Sequence, residues 1–119
     1  MKVKLFDSEL KVMDILWKEG PTTAKELVAL LKEQVGWNKN TTYTVIKKCI
    51  EKGVIERIEP NFLCRPAISK EQVQEQETTE LINKVFDGSV DLLFASLLGR
   101  KNLSAEEIQK LKQIVSKLE

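Results

Sequence analysis

The chain of 119 residues has no histidine, and it holds only two cysteines, three prolines and five glycines. Without imidazole there is no Cys/His dyad, no Ser/His/Asp triad and no His-ligated metal. Cys49 and Cys64 form no CxxC pair, and a structural zinc site needs four Cys or His ligands where this chain offers two. Two cysteines among many Lys and Glu read as reduced thiols rather than a disulfide scaffold. The shortage of Gly and Pro excludes collagen-like and low-complexity readings. Paired catalytic carboxylates and a phosphate-binding loop are also missing, so the expectation is a protein that is not an enzyme and uses no cofactor and no metal.

Long apolar runs are equally scarce. The densest, Leu92 to Leu98, is broken by Ser96 and falls far short of the roughly 18 residues of a membrane helix. Met1 to Phe6 is interrupted by Lys2 and Lys4 and is too short for a signal segment. These features lead us to expect a cytoplasmic protein without membrane insertion.

What is present is globular: 42% hydrophobic and 31% charged residues, with a net charge of +1. The near-neutral total conceals an uneven distribution. Residues 1–68 carry 12 Lys/Arg against 9 Asp/Glu, whereas residues 69–119 carry 7 against 9. Between Trp37 and Ile50 stand Lys39, Lys47 and Lys48 with no acid, a local basic stripe of the kind that marks a nucleic-acid surface.

Helical periodicity runs from Ser8 to Glu19 through Leu10, Met13, Ile15, Leu16 and Trp17, with Asp7 as a candidate cap and Gly20-Pro21 as the stop. Thr23-Ala24-Lys25-Glu26 is a capping box that opens a second helix, with Leu27, Val28, Leu30, Leu31 and Val35 as its stripe and Gly36 as its end. A third helix follows after a very short link, capped by Asn38 or Asn40. Its inner face carries Thr42, Val45, Ile46 and Cys49, and Gly53 follows as the left-handed residue past its end. Val54 to Glu59 then alternates, Pro60-Asn61 marks a turn, and Phe62 to Arg65 resumes as a short strand that ends at Pro66. Helices return at Lys70–Phe86 and Val90–Leu98. A last one opens with the capping box at Ser104-Ala105-Glu106-Glu107 and runs to Leu118.

Three helices joined by tight turns and followed by a β-hairpin form the order of a winged helix-turn-helix. The expected fold is therefore mainly α with a small β-hairpin: a winged-helix DNA-binding domain over 1–68 and a C-terminal helical dimerisation domain over 69–119. In such a fold the third helix enters the major groove and the hairpin touches the backbone. Its outer face offers Asn38, Lys39, Asn40, Thr41, Tyr43, Thr44, Lys47 and Lys48, residue types that bind phosphates and base edges. The wing adds Arg57, Asn61 and Arg65, although Glu56 and Glu59 flank Arg57. The apolar residues of the C-terminal third exceed what that segment can hide within itself. Leu81, Ile82, Val85, Phe86, Val90, Leu93, Phe94, Leu97, Leu98, Ile108, Leu111, Ile114, Val115 and Leu118 are expected to bury against a second copy. A two-fold dimer would set two recognition helices on a palindromic duplex. The competing reading is a winged-helix protein-interaction module without DNA binding, suggested by the near-zero net charge and the acidic residues of the wing. Trp17 and Trp37 read as core aromatics, and Cys49 as a small hydrophobe.

At several points the chain resembles the penicillinase repressor family (BlaI/MecI/CopY type). Glu9-x-x-Val12-Met13-x-x-Leu16-Trp17 is similar to the family's E-x-x-V-M-x-x-L-W. Trp37 stands before the recognition helix, Thr41 and Thr44 match T-x-x-T, and Lys52-Gly53 matches K-G. Pro66 sits where the wing ends in Y-x-P, and Phe86-x-Gly88 resembles the turn between dimerisation helices. The resemblance spans nearly the whole chain. It implies a homodimeric repressor on an inverted-repeat operator, with Asn38, Asn40, Thr41, Tyr43, Thr44 and Lys48 on the DNA, and a membrane sensor that drives proteolysis as a further partner. Four departures stand out. Lys48 replaces the family's usual Arg and so lacks the bidentate fork, and Cys64 replaces the wing tyrosine. Ser96-Leu97 stand where the family has its cleaved Asn-Phe bond. The cysteine motifs of copper-responsive members have no counterpart after Cys64.

Overall fold

The computed structural model describes residues 3–99 and 104–116. The chain divides into two compact units, Met1–Val73 and Gln74–Glu119.

In the first unit α1 spans Asp7–Glu19. Its N-cap is Phe6 rather than Asp7, because the Glu9 carboxylate reaches back and accepts the Phe6 N–H at 2.8 Å. Gly20 closes the helix at φ 82°, its N–H donating to the Leu16 carbonyl at 2.8 Å. A two-residue strand, β1 (Thr22–Thr23), leads directly into α2 (Ala24–Val35). Thr23 caps α2 as its sequence requires: its Oγ1 accepts the Glu26 N–H at 3.2 Å, and Glu26 Oε1 accepts the Thr23 hydroxyl at 2.8 Å. Gly36 sits in the left-handed region at φ 75°, which lets the chain turn at once into α3 (Lys39–Glu51).

The hairpin is built from β2 (Ile55–Ile58) and β3 (Leu63–Pro66), antiparallel with Arg57 opposite Cys64 and Ile55 opposite Pro66. The sheet has a third strand that the sequence does not announce: β1 pairs with β3, Thr22 opposite Cys64, giving the order β1-β3-β2. The mainly helical fold with a small β element stands as expected. β1 escapes notice because two threonines carry no alternation and owe their strand geometry wholly to β3.

The core lies among α1, α2, α3 and the sheet. Val12, Met13, Leu16, Leu27, Leu31, Ile46, Cys49, Val54 and Cys64 are almost completely removed from solvent. Each large aliphatic side chain there contributes roughly 1.5–3 kcal/mol of burial. Trp17 and Trp37 pack partly buried against this cluster. The Trp17 indole N–H donates to the Ile68 carbonyl at 2.9 Å, which satisfies its polar edge.

The second part of the chain is helical: α4 (Lys70–Val85), α5 (Val90–Leu98) and α6 (Ala105–Ser116). Serines cap all three, with Ser69, Ser89 and Ser104 accepting the N–H groups of Gln72, Leu92 and Glu107 at 3.1, 3.2 and 3.1 Å. Among the described residues no helix is long and apolar enough to cross a membrane.

Candidate nucleic-acid interface

α3 is amphipathic in a way that leaves a complete outer face. Thr42, Val45, Ile46 and Cys49 point into the core, so their helical complement must face solvent. That complement is Lys39, Asn40, Thr41, Thr44, Lys47 and Lys48, all exposed, with Tyr43 half-buried at its edge and Asn38 exposed before its first turn. The first turn carries no acid, so the positive end of the helix dipole is uncompensated there. Among the described residues neither Lys47 nor Lys48 has an ion-pair partner.

Several polar groups of α3 are already engaged within the helix. Asn38 Oδ1 accepts the Thr41 N–H at 2.8 Å, so of the two candidate caps Asn38 is the one in use. The Thr42 hydroxyl donates to the Asn38 carbonyl at 3.2 Å, and the Thr44 hydroxyl donates to the Asn40 carbonyl at 2.8 Å.

Tyr43 joins α3 to the wing. Its ring meets Phe62 edge-on at 5.9 Å, with the Lys39 ammonium 6.0 Å from the Tyr43 ring. On the far side the Arg57 guanidinium stacks 3.6 Å above Phe62. The series Lys39–Tyr43–Phe62–Arg57 sets the wing tip beside the first turns of α3. Sequence reading put Tyr43 on the outer face and missed this contact, because its partner lies on a different element.

The wing cations are less available than those of α3. Arg57 Nε donates to Glu59 Oε1 at 2.6 Å, and Arg65 Nη2 donates to Glu56 Oε2 at 2.6 Å. Both arginines are exposed, as is Asn61 at the tip. Each arginine keeps further N–H donors, but its charge is locally matched.

Behind α3 both cysteines are fully buried. Loss of hydration, assisted by the nearby Glu9 carboxylate, pushes the Cys49 thiol up to about 12. Burial likewise raises Cys64 to about 11. Both are neutral thiols at physiological pH and are poor nucleophiles and metal ligands there. Among the described residues no group of three or more His, Cys, Asp or Glu could hold a metal ion.

One polar contact went unanticipated. Glu9 is 1% exposed, and its Oε1 lies 2.6 Å from Lys52 Nζ at the end of α3. The available signal was its spacing, since Glu9 shares a helical face with Val12, Met13 and Leu16 and so sits at a core position.

The residues expected to pair two copies are distributed as follows. Leu81, Val85, Leu92 and Leu98 are exposed, at 44, 63, 50 and 50%. Phe86, Val90, Leu93, Phe94 and Leu97 are half-buried, and Ile82 is buried within the single chain. α5 has no buried residue at all. Ser96 and Leu97 both lie inside α5. Ile108, Leu111, Ile114 and Val115 belong to α6, but their side chains fall outside the described residues, as does Leu118 entirely.

Comparison with known proteins agrees with this geometry. The family described as penicillinase repressor matches residues 5–117. The methicillin resistance regulatory protein MecI of Staphylococcus aureus (strain N315) is 26% identical over 116 residues, covering 96% of this chain and 94% of that protein. The solution structure of the DNA binding domain of the repressor BlaI superimposes with a TM-score of 0.56 at 24% identity, covering 60% of this chain and 90% of that one. The Bacillus licheniformis BlaI monomeric form, solved in complex with the blaP half-operator, superimposes with a TM-score of 0.53 at 24% identity and the same coverage. At that identity the two superpositions speak for the fold.

Proposed function

The chain belongs to the penicillinase repressor family, a family of transcriptional repressors and not of enzymes, and we propose that it is a homodimeric repressor that binds an inverted-repeat operator in DNA. α3 enters the major groove, Lys39, Lys47 and Lys48 neutralise phosphates, and Asn and Thr side chains meet base edges. The wing residues Arg57, Asn61 and Arg65 lie along the adjacent backbone. The apolar residues of α4 and α5 pair two copies, so that two recognition helices engage the two half-sites. Bound over a promoter, the dimer blocks transcription, and its place is in the cytoplasm beside its DNA.

The observation that carries this reading is the outer face of α3: exposed lysines and hydroxyls with no acid between Trp37 and Ile50. The superposition on a relative solved with a half-operator adds to it. A second reading, a winged-helix module that binds another protein, draws on the pairing of both wing arginines with wing glutamates.

Fluorescence anisotropy separates the two readings. The unmodified protein is titrated onto a duplex from its own upstream region, with a scrambled duplex as competitor and salt varied. Selective binding whose log affinity falls steeply with log salt is the expected result. Absence of binding to either duplex at low salt would decide for the protein-interaction module.

A further inference from the structure

The outer face of α3 carries two asparagines and two threonines, which a sequence reading treats as equivalent contacts. Their hydrogen bonds make them unequal. A backbone N–H can only donate, so the atom of Asn38 lying 2.8 Å from the Thr41 nitrogen is the acceptor oxygen. The cap bond takes one of the two lone pairs of Oδ1 and holds the amide against the first turn of α3. Pinned by its oxygen in this way, Asn38 is poorly placed to present donor and acceptor side by side, as a free amide does to N6 and N7 of adenine. Asn40 is exposed, and among the described residues its side chain has no partner. Both halves of its amide are therefore available.

Thr44 lies one turn further along, on the same stripe as Asn40 and Lys47. Its hydroxyl hydrogen is directed to the Asn40 carbonyl at 2.8 Å. What remains for a ligand is a methyl group and a lone-pair oxygen. A methyl packs on the C5-methyl of thymine, and without a free donor the residue offers nothing to the O6 and N7 acceptors of guanine. The centre of the stripe thus presents a bidentate amide, then a methyl with an acceptor, then the Lys47 ammonium.

Resting on the DNA-binding reading above, we propose that Asn40 and Thr44 are the base readers of α3, Asn40 reading an adenine and Thr44 a thymine, while Asn38 is a cap that contacts phosphate only. The recognition helix then selects its half-site through A·T pairs at two positions, and Asn38 contributes affinity without sequence preference.

The test is selection from a random-sequence duplex library by the full chain and by four variants, with circular dichroism confirming that each is folded. Asn38→Ser keeps a capping oxygen, and Asn40→Ala replaces a residue inside the helix with a better helix former. Asn40→Ala should lower the adenine preference at one position per half-site by about tenfold and leave the other positions unchanged. Asn38→Ser should enrich the same sequence as the unmodified protein, at uniformly lower affinity. Thr44→Ser, which lacks only the methyl, should weaken the thymine preference, whereas Thr44→Val, which keeps the methyl, should retain it. A base preference altered by Asn38→Ser, or untouched by Asn40→Ala, overturns the assignment while leaving the repressor reading intact. Loss of the thymine preference in Thr44→Val but not in Thr44→Ser overturns the role of the methyl. Failure of the unmodified protein to enrich any sequence overturns the DNA-binding reading itself, and the assignment with it.

Discussion

Lys52 Nζ lies 2.6 Å from Oε1 of Glu9, a carboxylate 1% exposed at the start of α1. The same ammonium donates to the Lys4 carbonyl at 2.7 Å and sits 4.5 Å over the Phe6 ring. The end of α3 is thereby fastened to the first turn of α1. Oε2 of Glu9 has no hydrogen-bond partner among the described residues, so the carboxylate depends heavily on this one cation. Lys52→Met keeps the stem against Phe6 but leaves a buried charge uncompensated, and about 3 kcal/mol of stability should be lost in urea unfolding. Lys52→Arg should recover part of it. Equal unfolding midpoints for Lys52→Met and the unmodified chain would show that the pair contributes nothing.

The buried thiols give a pH signature. The folded state holds Cys49 near 12 and Cys64 near 11, above the ordinary value of 9.0. Between these limits the unfolded chain releases protons that the folded chain retains. The stabilisation is fully present below about pH 9 and is lost as pH rises through the folded values, with a slope approaching roughly 1.4 kcal/mol per pH unit for each thiol. Denaturation measured from pH 8 to 10.5 should show this decline, and the double variant Cys49→Ala, Cys64→Ala should show less of it. At pH 8 the native protein should resist alkylation by iodoacetamide until denaturant is added. Rapid native labelling would contradict the burial of both groups.

How far this architecture was legible depends on the reach of each interaction. The capping box of Thr23 and Glu26 involves residues three apart, and it could be read directly. The inner and outer faces of α3 were equally plain, because helical periodicity alone puts Thr42, Val45, Ile46 and Cys49 on one side. β1 was not legible, since Thr22 becomes a strand residue only by pairing with Cys64 across the fold. The contacts of Tyr43 with Phe62 and of Glu9 with Lys52 likewise join residues far apart in the chain. Their partners could not be named, although a glutamate at a core position of α1 signalled that one was required. At Asn38 the residue type suggested both cap and contact, and only the bond to Thr41 shows which role its oxygen serves.

The lysines of α3 and the arginines of the wing should differ in their weight on DNA. Lys47 and Lys48 have no ion-pair partner among the described residues, whereas Arg57 and Arg65 are each matched by a glutamate at 2.6 Å. Converting Lys47 or Lys48 to Gln should reduce the slope of log affinity against log salt by about 0.9 each. Arg57→Gln and Arg65→Gln should reduce it by clearly less, because each guanidinium is already matched by a glutamate and neutralises little phosphate charge. Slopes equally affected by all four changes would show that the wing arginines leave their glutamates to bind phosphate.

The proposed association of two copies can be tested apart from folding. Leu92 and Leu98 are each 50% exposed in the single chain, on a helix with no buried residue. Surface substitutions of this kind usually alter chain stability by less than about 0.5 kcal/mol. Burying two glutamates in an apolar contact between copies costs far more. The variant Leu92→Glu, Leu98→Glu should therefore keep its helical circular dichroism while its mass in sedimentation falls from two chains to one. Binding to a single half-site should hardly change, because α3 and the wing are untouched. Binding to the complete inverted repeat should fall to the half-site level, since the second contact no longer benefits from the first. A variant that still sediments as two chains would place the contact between copies elsewhere on the molecule, and the exposed leucines of α5 would then need a different partner.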